Sequence, residues 1–233
     1  VLFEILSNQI MRFFTLLVLL SFTVVFGSCI EIIDDLTIKN DGSGSFKYTI
    51  NMSSSKTKIN SILALDSLDG KKVPKIADIK AGIERVKVAL LKTEGLSNIK
   101  IDQDFTNFIF KAQVDFKSLT QLQNAIKKII SEEAAIKNTP HFAHNWLNWE
   151  NGLYSRSFPE IENIALEKLS EEDRLSLKKG TYSAITRFEK VVQTTNNPKA
   201  ILSPNKLNVL LKLPIYECIL NQKLQEITIQ TTP

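Results

Sequence analysis

Polar and apolar residues alternate strictly over residues 46–52. Phe46, Tyr48, Ile50 and Met52 interleave with Lys47, Thr49 and Asn51. A period of two places the apolar set on one face of a strand. Leu36 and Ile38 lie on the other side of Asn40-Asp41-Gly42-Ser43-Gly44, so the two runs predict a β-hairpin with one buried face. A second strand is clearer still. Phe108, Phe110, Ala112, Val114 and Phe116 face one way, and Lys111, Gln113 and Asp115 the other, with Ile109 as the exception on the polar side. Ile99 and Ile101, before the polar turn at 102–107, predict its hairpin partner.

Between these hairpins the period changes to that of a helix. Ile59, Ile62, Leu63 and Leu65 mark a short one over 59–68, broken by Asp69-Gly70-Lys71-Lys72. Pro74 then stands near the start of the next. Ile76, Ile79, Ile83, Val86 and Leu90 predict an amphipathic helix over 76–93, with Gly95 as its C-cap. Ser118 and Gln121 have the spacing of a capping box, which opens a third helix with Leu119, Leu122, Ile126, Ile129 and Ile130 on its apolar face.

Residues 140–159 carry Phe142, Trp146, Trp149, Tyr154 and Phe158, and Asn151-Gly152 among them is a hairpin turn signal. Residues 161–179 read as charged helix. Ser170-Glu171-Glu172-Asp173 marks a break or second start, and Gly180 an end. Residues 181–193, 200–202, 207–213 and 224–230 read as strands. Asn197-Pro198 and Ser203-Pro204-Asn205 turn between them, and Pro214 sets an edge or strand end. The stripes bury together in an α+β fold: an antiparallel sheet built from hairpins, with amphipathic helices packed on one face. We assign it to a single domain over 36–233.

The first part of the chain has a different grammar. Residues 13–26 read FFTLLVLLSFTVVF, an uncharged run preceded by Met11-Arg12 and followed by Gly27-Ser28-Cys29. A basic start, a short apolar core and small residues at a cleavage point are the parts of a secretory signal. Fourteen apolar residues fall short of the roughly 20 that span a bilayer. The expected signal is 11–28, with 1–10 as an upstream extension and Met11 as initiator; the alternative is a start at Val1 with a longer n-region. Residues 26–29 resemble a bacterial lipobox, with Phe26 where leucine is usual. That resemblance implies cleavage between Ser28 and Cys29 and lipidation of Cys29, a palmitate-type anchor to the membrane. Ile30 stands where an aspartate would signal inner-membrane retention, so by analogy the outer membrane is expected. Glu31, Asp34 and Asp35 then read as a solvated acidic tether over 29–35.

Composition narrows the function classes. The 233 residues have 43% hydrophobic and 23% charged side chains, ordinary for a globular chain. About 205 remain after the expected signal, enough for a sizeable core. The net charge of +4 is spread thinly without a basic run, so no nucleic-acid partner is expected. Cys29 and Cys218 are the two cysteines, and with Cys29 acylated Cys218 reads as a small buried hydrophobe. His141 and His144 are the two histidines. They lack the further ligands of a metal site, and a His-dependent triad would need one of them as base. Glu132-Glu133 and Glu171-Glu172 read as solvated helix surface. The Asp41-Gly42-Ser43-Gly44 turn lacks the other ligands of a calcium loop and the pattern of a phosphate loop. No catalytic residue, metal or cofactor is assigned. Trp146, Trp149 and Tyr154 are candidate aromatics for a glycan or peptide groove, and serve equally as the core face of their hairpin.

The lipobox, the acidic stretch and the glycine-rich turn at 41–44 together resemble uncharacterised lipoproteins of Bacteroidota-type bacteria. The rhythm from Phe188 through Ala200 to Leu213 is similar to the β-rich tail of such proteins and of LppM-type lipoproteins. The resemblance implies a lipid-anchored protein of the cell envelope, exposed to the periplasm or the surface. The expected role is non-enzymatic binding of an envelope protein, glycan or lipid. An envelope hydrolase with a carboxylate-based site and a structural subunit of an envelope complex are the alternatives.

Overall fold

The computed structural model describes residues 30–68, 70–133, 144–158 and 169–233. The chain enters through β1 (Glu31–Ile38) and turns back as β2 (Gly44–Asn51). Helix α1 (Lys56–Leu63) leads to a small hairpin of β3 (Ser67–Leu68) and β4 (Lys71–Lys72). Helix α2 (Ile76–Leu91) precedes the long hairpin of β5 (Leu96–Asp104) and β6 (Ile109–Phe116), and helix α3 (Leu119–Glu133) follows it. The second half runs β7 (Leu147–Glu150), β8 (Leu153–Arg156), α4 (Glu171–Lys179) and β9 (Thr181–Phe188). It continues through β10 (Val192–Thr195), β11 (Ala200–Leu202), β12 (Asn208–Pro214), α5 (Ile215–Leu220) and β13 (Ile227–Thr231).

A seven-stranded sheet has the order β11-β12-β9-β1-β2-β6-β5, and a four-stranded sheet the order β10-β13-β8-β7. The pairings are antiparallel except where β1 meets β9, in register from Glu31 opposite Thr181 to Ile38 opposite Phe188. That parallel pair joins the hairpins of the first half to those of the second. The class is the expected one: α+β, dominated by antiparallel hairpins.

Alternation decides the inner face of the large sheet. Leu36 and Ile38, Val114 and Phe116, Phe188, and Val209 are all buried against Leu147, Tyr154, Ile227 and Ile229 of the small sheet. Leu119 and Leu122 of α3 close the same core. Each such side chain contributes about 1.5–3 kcal/mol by leaving water. A second cluster sits lower on the same face, where Ala184, Leu211 and Leu213 pack on Cys218 of α5, with Tyr182 and Leu224 beside them. The second sheet, in addition to helices, covers the face that the sequence assigns to helices alone. Its free edge is managed by Gln123, whose buried amide donates to the Leu147 carbonyl at 2.6 Å and accepts from the Leu147 N–H at 3.0 Å. One side chain there replaces a missing neighbouring strand.

Several local signals appear where they were expected. Asn151 and Gly152 both have positive φ, 50° and 78°, as a two-residue hairpin turn requires. Ser118 accepts from the Gln121 N–H at 3.3 Å, and Ser170 from the Asp173 N–H at 3.1 Å. Gly180 ends α4.

Other elements depart from expectation, each for a physical reason. The acidic stretch read as a tether is strand: Glu31, Asp34 and Asp35 belong to β1, held between β2 and β9. Residues 181–193 are not one strand. The chain bends after Phe188 and resumes at Val192 in the other sheet, so that both residues enter the inter-sheet core, 5% and 2% exposed. Residues 215–220 form α5, which buries Ile215 and Cys218 on one side, and the last strand starts at Ile227 instead of Leu224. Gly95, at φ +83°, lies past the end of α2, and its carbonyl accepts from Lys117 at the mouth of the β5–β6 hairpin. Phe108 is buried in the turn before β6 with φ 54°, so the alternation starts at Ile109.

Candidate functional site

The most concentrated polar chemistry among the described residues lies between the sheets. Asp34 of β1 and Tyr182 of β9 are on the inner face of the large sheet, and Arg156 ends β8 in the small one. Tyr182 donates its hydroxyl to Asp34 Oδ2 at 2.8 Å. Arg156 Nη1 reaches the same Asp34 oxygen and the Tyr182 oxygen, each at 3.3 Å, and its Nε donates to the Gln225 carbonyl at 3.0 Å. The Arg156 side chain is 3% exposed and that of Asp34 20%. Burial raises the Asp34 pKa above the usual carboxylate value, against the downward pull of Arg156 and the Tyr182 hydrogen bond. Burial opposes the Arg156 charge, and the surrounding Tyr182, Tyr154 and Asp34 oxygens outweigh it and keep the proton. Burial, with Asp34 nearby, lifts Tyr182 well above the ordinary phenol range.

Tyr154 stands two residues before Arg156 on β8, on the same face, and is fully enclosed. Burial pushes its phenol up to about 12, against the downward pull of Arg156 and of the Thr186 side chain beside it. The neighbouring carboxylate does not join this cluster. Asp35 points to the outer face, where Arg187 forks onto both its oxygens at 2.8 and 3.1 Å. Two carboxylates acting on one glycosidic bond must converge on it; Asp34 and Asp35 are held on opposite faces of the sheet, each by its own arginine. This geometry suits a clamp between layers.

The aromatic candidates from the sequence form the core face of their hairpin. Trp149 lies directly opposite Tyr154 in the β7–β8 register and stacks on Phe188 with centroids 5.7 Å apart. Trp146 packs at the margin of the same core, under the Lys127 ammonium at 5.4 Å. Tyr154 at 0% exposure is closed to any ligand. His144 is exposed, its Nε2 3.0 Å from the Ser157 hydroxyl, and His141 lies outside the described residues. Asp41 is occupied by its own turn, accepting from the Ser43 hydroxyl and N–H at 2.7 and 2.9 Å. These bonds lower its pKa, the hydroxyl first. Among the described residues no group of three or more His, Cys, Asp or Glu is placed to hold a metal ion. Cys218 is a free, buried thiol, pushed up to about 11 by burial and then by Glu217. Arg156, which sequence reading did not single out, follows Tyr154 by two residues, on the same face at the end of β8. A charge at that place was the available signal.

Ser28 and Cys29 lie outside the described residues, but their neighbourhood does not. The Ile30 carbonyl accepts from the Thr181 N–H at 2.8 Å, and Glu31 pairs with Asn51. The same end of the sheet continues through Asn51 opposite Ile109 and Ile109 opposite Asp104. Open hollows lie elsewhere. One of about 430 Å³ is lined by residues of the β5–β6 hairpin including Asp102, Asp104, Ile109 and Lys111. Another of about 580 Å³ lies along α2 and is bordered by Glu84, Arg85 and Lys92, with Lys128 of α3. Among the described residues no helix is long and apolar enough to cross a membrane.

No protein-family model and no curated protein matches this chain. Among solved structures, it is similar to the NMR structure of the folded domain of LppM from Mycobacterium tuberculosis. The identity is 13% and the TM-score 0.39, over 88% of this chain and 90% of that one.

Proposed function

We propose that this chain is a lipid-anchored protein of a bacterial cell envelope that acts by binding a protein, glycan or lipid there. The anchor is the acylated Cys29, released as the N-terminus after Ser28, and the outer membrane is its address, by analogy from Ile30. The observation that carries the reading is the sequence of 11–29: a basic start, a short apolar run and Gly27-Ser28-Cys29 at its end. The fold supports it by position. β1 begins two residues after Cys29, so an anchor there joins directly to an inner strand of the large sheet. Two or three acyl chains, at about 0.8 kcal/mol per buried CH₂, hold such a body on a bilayer stably.

The test is fractionation of wild type and Cys29→Ala from a lipidating bacterial host. The reading predicts that wild type stays with the envelope through a high-salt wash and enters the detergent phase. Cys29→Ala should lose the acyl chains and retain its leader. A variant that is unacylated, uncleaved and yet indistinguishable from wild type in every fraction sinks the proposal.

A further inference from the structure

We propose that β5 pairs with β5 of a second copy of this chain, antiparallel and in a single register centred on Ile101, so that two large sheets join into one. β5 ends the strand order of the large sheet, and among the described residues no strand pairs with its other side. An edge of this kind presents a row of backbone donors and acceptors to a further strand. The stretch that can pair is short. The register with β6 shifts between Ser97 and Lys100, where Asn98 has a φ of 50°, and the strand ends at Asp104. A bulge keeps an edge from extending into an open ladder. Here it leaves residues 99–103, with Ile101 in the middle. The pairing does not depend on the state of Cys29.

Charge selects the register. Lys100 and Asp102 lie on the outer face, opposite Gln113 and Lys111 of β6. Both are exposed, and neither forms an ion pair among the described residues. The other acids of the hairpin are engaged. Asp104 accepts from the Thr106 and Asn107 N–H groups, each at 2.9 Å, and Asp115 from the Asn98 amide at 2.6 Å. With Ile101 opposite its own copy, Lys100 stands opposite the partner's Asp102 on both sides of the two-fold axis. Each Asp102 then lies between its own Lys111 and the partner's Lys100, an attractive cross-strand arrangement. A shift of two residues either way sets lysine against lysine or aspartate against aspartate, and a slip of one turns a sheet face over. On the inner face the same register brings half-buried Ile101 against its copy, and Ile99 against Gln103. The open hollow lined by Asp102, Asp104 and Lys111 lies beside this edge and gives the partner's Lys100 its place. Helix α2 accompanies β5 in the opposite direction, its Lys80 5.2 Å over Phe105. The axis therefore sets α2 antiparallel to its copy, with Val88 at 44% and Leu91 at 61% exposure as apolar surface. Such a contact is isologous and closes at two copies. The self-complementarity of this strand in charge selects a second copy over an unrelated strand.

The full chain, purified in a density-matched detergent, is followed by sedimentation equilibrium up to about 100 μM, a range suited to a contact at the small end of stable interfaces. Wild type should form a dimer. K100D places two acids in each cross-strand pair, and D102K two lysines, so each variant should associate at least about tenfold more weakly. Both positions are exposed, so both variants should keep the circular dichroism spectrum of wild type. An equimolar mixture of the two variants sets an acid opposite a lysine in every pair again, and the dimer should return. That recovery also shows that both variants are folded. A wild type that stays monomeric up to about 100 μM overturns the proposal. Variants as dimeric as wild type place self-association on another surface and overturn it too. Variants that are monomeric alone and remain so when mixed overturn the register, and the proposal with it.

Discussion

Arg156 and Asp34 meet at 3.3 Å across the gap between the two sheets, one at the end of β8 and the other in the middle of β1. The pair is unequal. Arg156 is nearly sealed from solvent, whereas a fifth of Asp34 remains open. A buried charge that loses its partner costs more than the pair contributes. Asp34→Ala, which leaves the enclosed guanidinium and the Tyr182 hydroxyl without this acceptor, should destabilise by about 3 kcal/mol. Arg156→Met should cost about 1–2 kcal/mol, because Asp34 can take a proton or turn to water. The double variant should be no worse than Asp34→Ala alone. Urea unfolding of the four proteins checks this. Strict additivity would show that the two groups do not act together.

The Asp34 pKa also sets a pH dependence. Its value in the folded state lies above that in the unfolded chain, so the folded state holds this proton more tightly. The stability that the proton contributes is complete below the unfolded value of about 4 and is lost as pH rises through the raised folded value. Asp34→Asn has no such group. The stability of wild type relative to this variant should therefore fall as pH rises from 4 towards 7. A difference that grows over that range contradicts the assignment.

Trp149 fills the core between Phe188 and the turn at Gly42, where an added Cβ would come within 3.3 Å of its ring. Trp149→Ala should cost about 2–4 kcal/mol, seen as a lower unfolding midpoint in thermal denaturation. A midpoint within experimental scatter of wild type would mean that the ring is a surface feature after all.

Cys218 gives a chemical readout of the lower core. Its thiol, 7% exposed and raised to about 11, should resist maleimides and disulfide reagents at pH 7.5 and react only as the protein unfolds. Fast native labelling would show that α5 opens readily from β12.

Much of the sheet was legible because its hairpins are local. Period-two stripes beside Asn151-Gly152, and the Ser118 and Ser170 caps, name their own partners within a few residues. The long-range parts were not. Asp34 and Asp35 look like solvent-exposed acids until Arg156 and Arg187, more than 120 residues away, are brought opposite them. The parallel β1–β9 pairing has no turn to announce it. The bend at 189–191 is hidden because Phe188 and Val192 keep an apolar rhythm while changing sheets. The aromatic candidates were ambiguous for a related reason: a stripe that faces a core and one that faces a ligand share a period; Tyr154 lies in the core, and Trp146 and Trp149 are partly buried against it.

The most direct measurement is the mass of the N-terminal peptide of the protein extracted from envelopes. The account predicts a peptide that begins at Cys29 and carries a diacylglyceryl thioether with a further acyl chain on its amine. A peptide that runs through Gly27-Ser28 into Cys29 with an unmodified thiol would contradict it.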